Sequence, residues 1–124
     1  MYHDICAEVT LPAKTTTELL KGCTETMVLT LLAERPMYGY ELMREIRLRS
    51  DGVFALGQGT IYPLLYALER KRSIIAEWVE PENGGRRRKY YRLTERGTAR
   101  SVDRVAEWGE FVRGMSRVLG IAGV

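Results

Sequence analysis

Apolar positions recur every three or four residues over four separate stretches of the chain, and a segment rich in β-branched and aromatic residues lies between the third and the fourth. In the first stretch Leu20, Cys23, Met27 and Leu31 keep helical register, joined by Leu19, Val28 and Leu32. "TTTE" offers Thr15 as its N-cap, with Glu18 three residues on. Pro36 turns Arg35 away from helical angles and closes the helix. A second helix is expected from about Tyr38 to Ser50, with Leu42, Met43 and Ile46 on one side and Glu41, Arg44, Glu45 and Arg47 on the other. Gly52 in "SDG" suits the left-handed angle of its end. "VFAL" (Val53 to Leu56) has room for a short strand or an extended link.

The third stretch, "LGQGTIYPLLYALERK" (Leu56 to Lys71), predicts a helix opening near Gln58 or Gly59, with Pro63 at the edge of its first turn. Ile61, Leu64, Leu65 and Leu68 form its inward face, which leaves Gln58, Thr60, Tyr62, Tyr66 and Arg70 on other faces. "SIIAEWVE" and "RKYYRLT" flank the turn signal "PENGG" and read as a hairpin. Because a lone hairpin is marginal in water, Ile74, Trp78, Tyr90 and Leu93 are expected to pack onto the helices. Thr94 then caps a last helix, Glu95 to about Leu119.

This order predicts a mainly α fold with a small β-hairpin: a winged helix-turn-helix over residues 15–94, after an arm of residues 1–14 and before a C-terminal dimerisation helix in residues 95–124. The third helix of such an arrangement enters the DNA major groove and the hairpin lies along the backbone. A helix start with free N–H groups and small or polar side chains lets phosphate approach, and "GQGTIY" has those features. Tyr38, Tyr40, Gln58, Gly59, Thr60, Tyr62, Arg86, Arg87, Arg88 and Lys89 are the candidate DNA-contacting residues. For Tyr38, Tyr40 and Tyr62 simple packing fits equally well, and for Tyr66 and Tyr90 packing is the reading taken.

Composition adds limits. The 124 residues fit one domain, and the formal net charge of +3 is too small to argue by magnitude. Its placement in "GGRRRKYYR" (Gly84 to Arg92) and "ERKR" (Glu69 to Arg72) is what points to a polyanion. "MVLTLLA" is far shorter than a membrane span, and two cysteines, Cys6 and Cys23, make no CxxC pair, so a cytoplasmic location without membrane association is expected. His3 is the only histidine and stands in the arm, so no histidine-based catalytic pair can be assembled, and His3, Asp4 and Cys6 lack the spacing of a structural metal site. "GQGT" lacks the GK[ST] of a phosphate-binding loop. No enzyme activity, cofactor or metal is expected.

On the last helix Val102, Val105, Gly109, Val112 and Leu119 fit a seam for a second copy, beside a stripe of Trp108, Phe111, Met115 and Val118. A helix this long cannot hide so wide an apolar face against one small domain. Dimerisation covers it and sets two third helices about 34 Å apart on DNA. Gly97, Gly109 and Gly114 each cost about 1 kcal/mol relative to alanine, which suggests close approach or bending.

"MYGYELMREI", "GQGTIYPLLYALERK", "GGRRRKYYRLTERG" and the tryptophan-bearing last helix resemble the PadR family of bacterial transcriptional regulators, specifically its short subfamily with one C-terminal helix, over about Leu19 to Leu119. The chain departs from the family pattern at Arg72, where a glycine is usual, and at Ser73, where an apolar residue is usual. The resemblance implies a homodimeric repressor released from double-stranded DNA by a small aromatic or drug-like ligand. It also implies Trp108 as the residue that stacks on a planar ligand, with Phe111 and Met115 either beside it or in the core; an interface role for Trp108 fits as well. A winged-helix adaptor that binds another protein, without sequence-specific DNA binding, is the alternative function.

Overall fold

The computed structural model describes residues 13–121 and the side chains of residues 22–121. Its elements follow in the order α1 (Ala13–Glu34), β1 (Met37–Tyr38), α2 (Gly39–Arg49), α3 (Gln58–Arg70), β2 (Ile74–Val79), β3 (Arg88–Leu93) and α4 (Glu95–Leu119). Helix α1 starts at Ala13, so Thr15 lies inside its first turn and not before it: Ala13 and Lys14 are good helix formers and carry the helix back past the threonines. The arm before it, with His3, Asp4 and Cys6, lies outside the described residues. "VFAL" is an extended link with no strand.

The core gathers on α1. Val28, Leu29, Leu31 and Leu32 are buried and meet Leu42 and Ile46 of α2, Ile61, Leu65 and Leu68 of α3, and Met37, Ile74 and Tyr91 of the sheet. Helix α4 lies along the outside of α1, where the Arg100 guanidinium donates to Glu25 at 2.9 Å.

The sheet has the order β1-β3-β2, all antiparallel. Its two-residue first strand escapes a reading of periodicity, because it exists only through its pairing with Tyr90 and Tyr91. Register decides which side chains face the core. Ile74 stands opposite Leu93, Ala76 opposite Tyr91 and Trp78 opposite Lys89, so these pairs share one face, whereas Tyr90 and Glu77 share the other. Tyr91 is therefore the buried tyrosine of the hairpin, and Tyr90 packs on the outer face against Tyr38. Trp78 does not pack onto the helices. It lies on the inner face but beyond the reach of the core and is 58% exposed.

Helices α2 and α3 end in the same way. The N–H of the residue in the left-handed position returns to a carbonyl three residues back, and the next N–H returns five back. That position is held by Asp51 (φ 55°) after α2 and by Arg72 (φ 61°) after α3. Arg72 thus takes, with a side chain, the angle that glycine adopts without strain. Ser73 is buried beside it, and its carbonyl accepts from the Thr94 amide at 3.0 Å. The Thr94 hydroxyl donates to the Arg72 carbonyl at 2.7 Å and accepts from the Gly97 amide at 3.1 Å, as the cap of α4. A methyl group on Gly97 would run into the Ser73 carbonyl, so α4 approaches this turn as closely as only glycine permits. Gly114 has open space around it, so close approach within the chain explains one of the glycines of α4 but not this one.

The result is a helix-turn-helix core with a hairpin wing and one long C-terminal helix. Replacing Arg72 with glycine is expected to raise unfolding stability by roughly 0.5–1 kcal/mol, strain relief outweighing the added freedom of the unfolded chain. Gly97→Ala is expected to lower it by about 2 kcal/mol or more. Thermal unfolding of both variants checks the pair.

Candidate nucleic-acid interface

Helix α3 opens from Gly57, whose extended backbone accepts from the Thr60 and Ile61 amides at 3.1 Å each. The Gln58 and Gly59 N–H groups are then without an intrahelical acceptor, and Gly57 has no side chain to cap them. Pro63 lies in the second turn, deeper than the expected first-turn edge, so the Gly59 carbonyl has no donor four residues ahead. The start of α3 therefore offers bare donors and a carbonyl without its usual i+4 donor, with Gln58, Gly59 and Thr60 all exposed around them.

The N-terminus of α2 faces the same space. Tyr62 packs its hydroxyl against Gly39, where a Cβ would stand 2.5 Å from that oxygen. Gly39 is thus the clearance that lets the α3 tyrosine lie across the first turn of α2. Tyr38 precedes that turn, its amide donating to Glu41 Oε1 at 3.2 Å. Its ring stacks on Tyr40 with centroids 6.4 Å apart and meets Tyr90 edge-on at 5.3 Å. Tyr40 is 55% exposed and Tyr62 43%, so both combine packing with an open edge. Tyr66 is 64% exposed and is not a packing residue: four positions beyond Tyr62 on α3, it follows the outward face of the helix.

The wing supplies the charge. Arg86, Arg87 and Arg88 are exposed. Arg88 lies 4.8 Å over the Tyr38 ring and Arg87 5.5 Å over the Trp78 ring, while Arg44 and Arg70 cover Tyr40 and Tyr66 at 5.9 and 5.8 Å. Each ring holds a cation near a set position without neutralising it. Lys89 is more committed, with its Nζ 3.7 Å from Glu69. Burial, then the nearby Glu69 and Tyr62, push the Tyr91 hydroxyl above the usual tyrosine range, so it stays protonated. A concavity of about 490 Å³ joins Tyr38, Tyr40 and Tyr62 to Arg86, Arg88 and Lys89. Of the predicted residues, Tyr38, Tyr40, Tyr62, Arg86, Arg88 and Lys89 thus surround one space, whereas Arg87 and the Gln58, Gly59 and Thr60 of the helix start do not line it.

The α4 candidates separate into inner and outer positions. Trp108 is half-buried, with its ring near Gly22 of the same chain's α1 and meeting the Phe111 ring in a T-shaped contact at 5.4 Å. Gly109 and Val112 are also half-buried. Val102, Val105 and Leu119 are exposed, as are Phe111 and Met115, which are not core residues of the single chain. Arg104 and Glu107 join Trp108 and Phe111 around a hollow of about 220 Å³. Arg104 went unnoticed in the sequence because its partner Glu25, 3.8 Å away, lies far along the chain. Cys23 is a free thiol that burial pushes above its usual range, with Arg104 partly offsetting the shift.

Known proteins place this geometry. A family model described as the transcriptional regulator PadR-like family matches residues 28–102, from the core of α1 through the hairpin into α4. The chain belongs to the PadR-like family of transcriptional regulators. It resembles a Streptococcus transcriptional regulator at 32% identity and a TM-score of 0.69, over 81% of this chain and 95% of that one. A PadR family transcriptional regulator from Eggerthella lenta is 30% identical over 95% of both chains, with a TM-score of 0.67. An uncharacterized protein of Lysinibacillus sphaericus is 36% identical over 93 residues, 75% of this chain and 84% of that protein. The family consists of transcriptional regulators, not enzymes, and this PadR-like chain has a winged helix with a single long helix after it. No helix among the described residues is long and apolar enough to cross a membrane.

Gly39→Ala is expected to displace the Tyr62 ring while leaving the helical circular dichroism unchanged, since the obstacle is the far end of one side chain. Near-ultraviolet circular dichroism, which reports the packing of tyrosine rings, is expected to change where the far-ultraviolet signal does not.

Proposed function

We propose that this PadR-like regulator acts as a sequence-specific DNA-binding homodimer, a repressor relieved by a small planar apolar ligand. The observation that carries the reading is the shared concavity in which tyrosines from α2 and α3 stand beside the arginines of the wing. An open helix start beside it gives backbone donors for phosphate, Thr60 and Tyr62 give groups for base edges and thymine methyls, and the wing cations give long-range attraction. The net charge alone would not do this; its concentration at one end of the sheet does.

The outward apolar residues of α4 support the dimer. Val102 and Val105 flank the buried stripe on one side and Phe111 and Val118 on the other, with exposures of 65%, 47%, 54% and 85%. Isologous pairing through such a face would set two α3 helices on successive major-groove faces. The ligand would enter beside Trp108 and Phe111, where a ring face and an aromatic edge border a hollow next to the same helix. A ligand bound there shifts the spacing of the two winged domains only as far as its affinity differs between the two spacings.

For a dimer that neutralises about six to ten phosphates, duplex affinity is expected to drop on the order of a thousandfold or more between 50 and 200 mM salt; a flat response would reject the wing assignment. Arg87→Ala is expected to weaken all duplexes alike, whereas Thr60→Ala and Tyr62→Ala change discrimination between an upstream-region duplex and a random one. Introducing glutamate at both Val102 and Val105 is expected to yield a monomer in sedimentation velocity runs, with duplex affinity lost alongside the dimer.

A further inference from the structure

We infer that Trp78 belongs to the nucleic-acid surface: its indole seats against the sugar edge of the strand whose phosphates the wing cations take, and it holds Arg87 aimed at that strand. This rests on the DNA-binding reading above and adds a residue for which the fold itself has no use. Along β2 the inner-face row runs Ile74, Ala76, Trp78, passing from fully buried through half-buried to 58% exposed. The largest apolar side chain of the row thus stands where the core has already ended. Its cross-strand partner is Lys89, not another apolar residue.

Two further observations say what would cover the ring. Trp78 lines the same concavity as Tyr38, Tyr40 and Tyr62, and the charged residues lining that space are Arg86, Arg88 and Lys89, with no carboxylate among them. A duplex backbone alternates anionic phosphates with apolar deoxyribose faces, so a wall that sets cations beside aromatic rings matches both components. The Arg87 guanidinium lies 5.5 Å over the indole, which limits where that long side chain can reach. Loss of the ring therefore removes an apolar contact and also frees Arg87, so the two residues act as a coupled pair.

The test uses the full chain and a labelled duplex from the region upstream of its own gene. Trp78 and Trp108 are the two tryptophans of the protein, so a Trp78→Phe variant reports Trp108 alone. Adding duplex is expected to quench tryptophan emission in the parent and to leave emission of the Trp78→Phe variant unchanged. Trp78→Ala is expected to weaken duplex binding roughly tenfold with unchanged circular dichroism, Trp78→Phe to retain most of the affinity, and the double variant with Arg87→Ala to lose less than the sum of the two single losses. The inference is overturned if Trp78→Ala binds duplex like the parent while the quench persists in Trp78→Phe. Failure of the parent to bind any duplex at low salt would instead remove the DNA-binding reading, and this inference with it.

Discussion

The carbonyl of Ser73 is the point at which the base of the wing meets two helices. It accepts the Thr94 amide at one end of the hairpin, it stands where only a glycine of α4 can pass, and it follows directly on the left-handed turn that ends α3. Three elements are thereby fixed at one point: the C-terminus of α3, the base of the hairpin and the start of the last helix. The hairpin would be marginal alone, and this junction, with the burial of Ile74 and Tyr91, supplies the support it lacks. Arg72 bears the local strain of the arrangement, because the chain needs a left-handed residue there whatever side chain occupies it.

The sequence reading recovered what depends on neighbours in the chain. Helices α2, α3 and α4 reveal themselves through apolar spacing, Thr94 through its place before a helical run, and the hairpin through "PENGG". What it missed depends on register or on distant partners. Strand β1 has two residues and no pattern of its own. The faces of Trp78, Tyr90 and Tyr91 follow from the pairing across the hairpin, and a single-residue error in that pairing reverses all three. The packing reading of Tyr66 fails because its position four residues after Tyr62, off the inward face, leaves its ring exposed. The departures at Arg72 and Ser73 were visible as residue types, whereas their meaning came only with the backbone angle and the hydrogen bonds to Thr94.

The candidate interface shows how a modest total charge can still place cations together on one surface. Some acidic and basic residues elsewhere are tied to one another: Arg49 donates to both oxygens of Glu34 at 2.6 and 2.8 Å, and Arg35 to Glu41 at 3.1 Å. The arginine beside Glu34 holds its carboxyl below the usual range, and those charges largely cancel at a distance. Arg87 and Arg88 of the wing rest instead on aromatic rings, which position a cation without cancelling it. Aromatic support in place of ion pairing leaves the charge available to a partner.

The direct passage from β3 into α4 has a mechanical consequence. Only Thr94 separates them, with no flexible linker, so the last helix leaves the sheet as a stiff rod. At 1.5 Å per residue its 25 residues make a lever of roughly 37 Å. A tilt of about five degrees at the Thr94 pivot would carry the far end through roughly 3 Å, about the width of one atom, given that rise per residue. Read in reverse, a wedge of atomic size at the far end of the rod becomes a small rotation of the whole winged head.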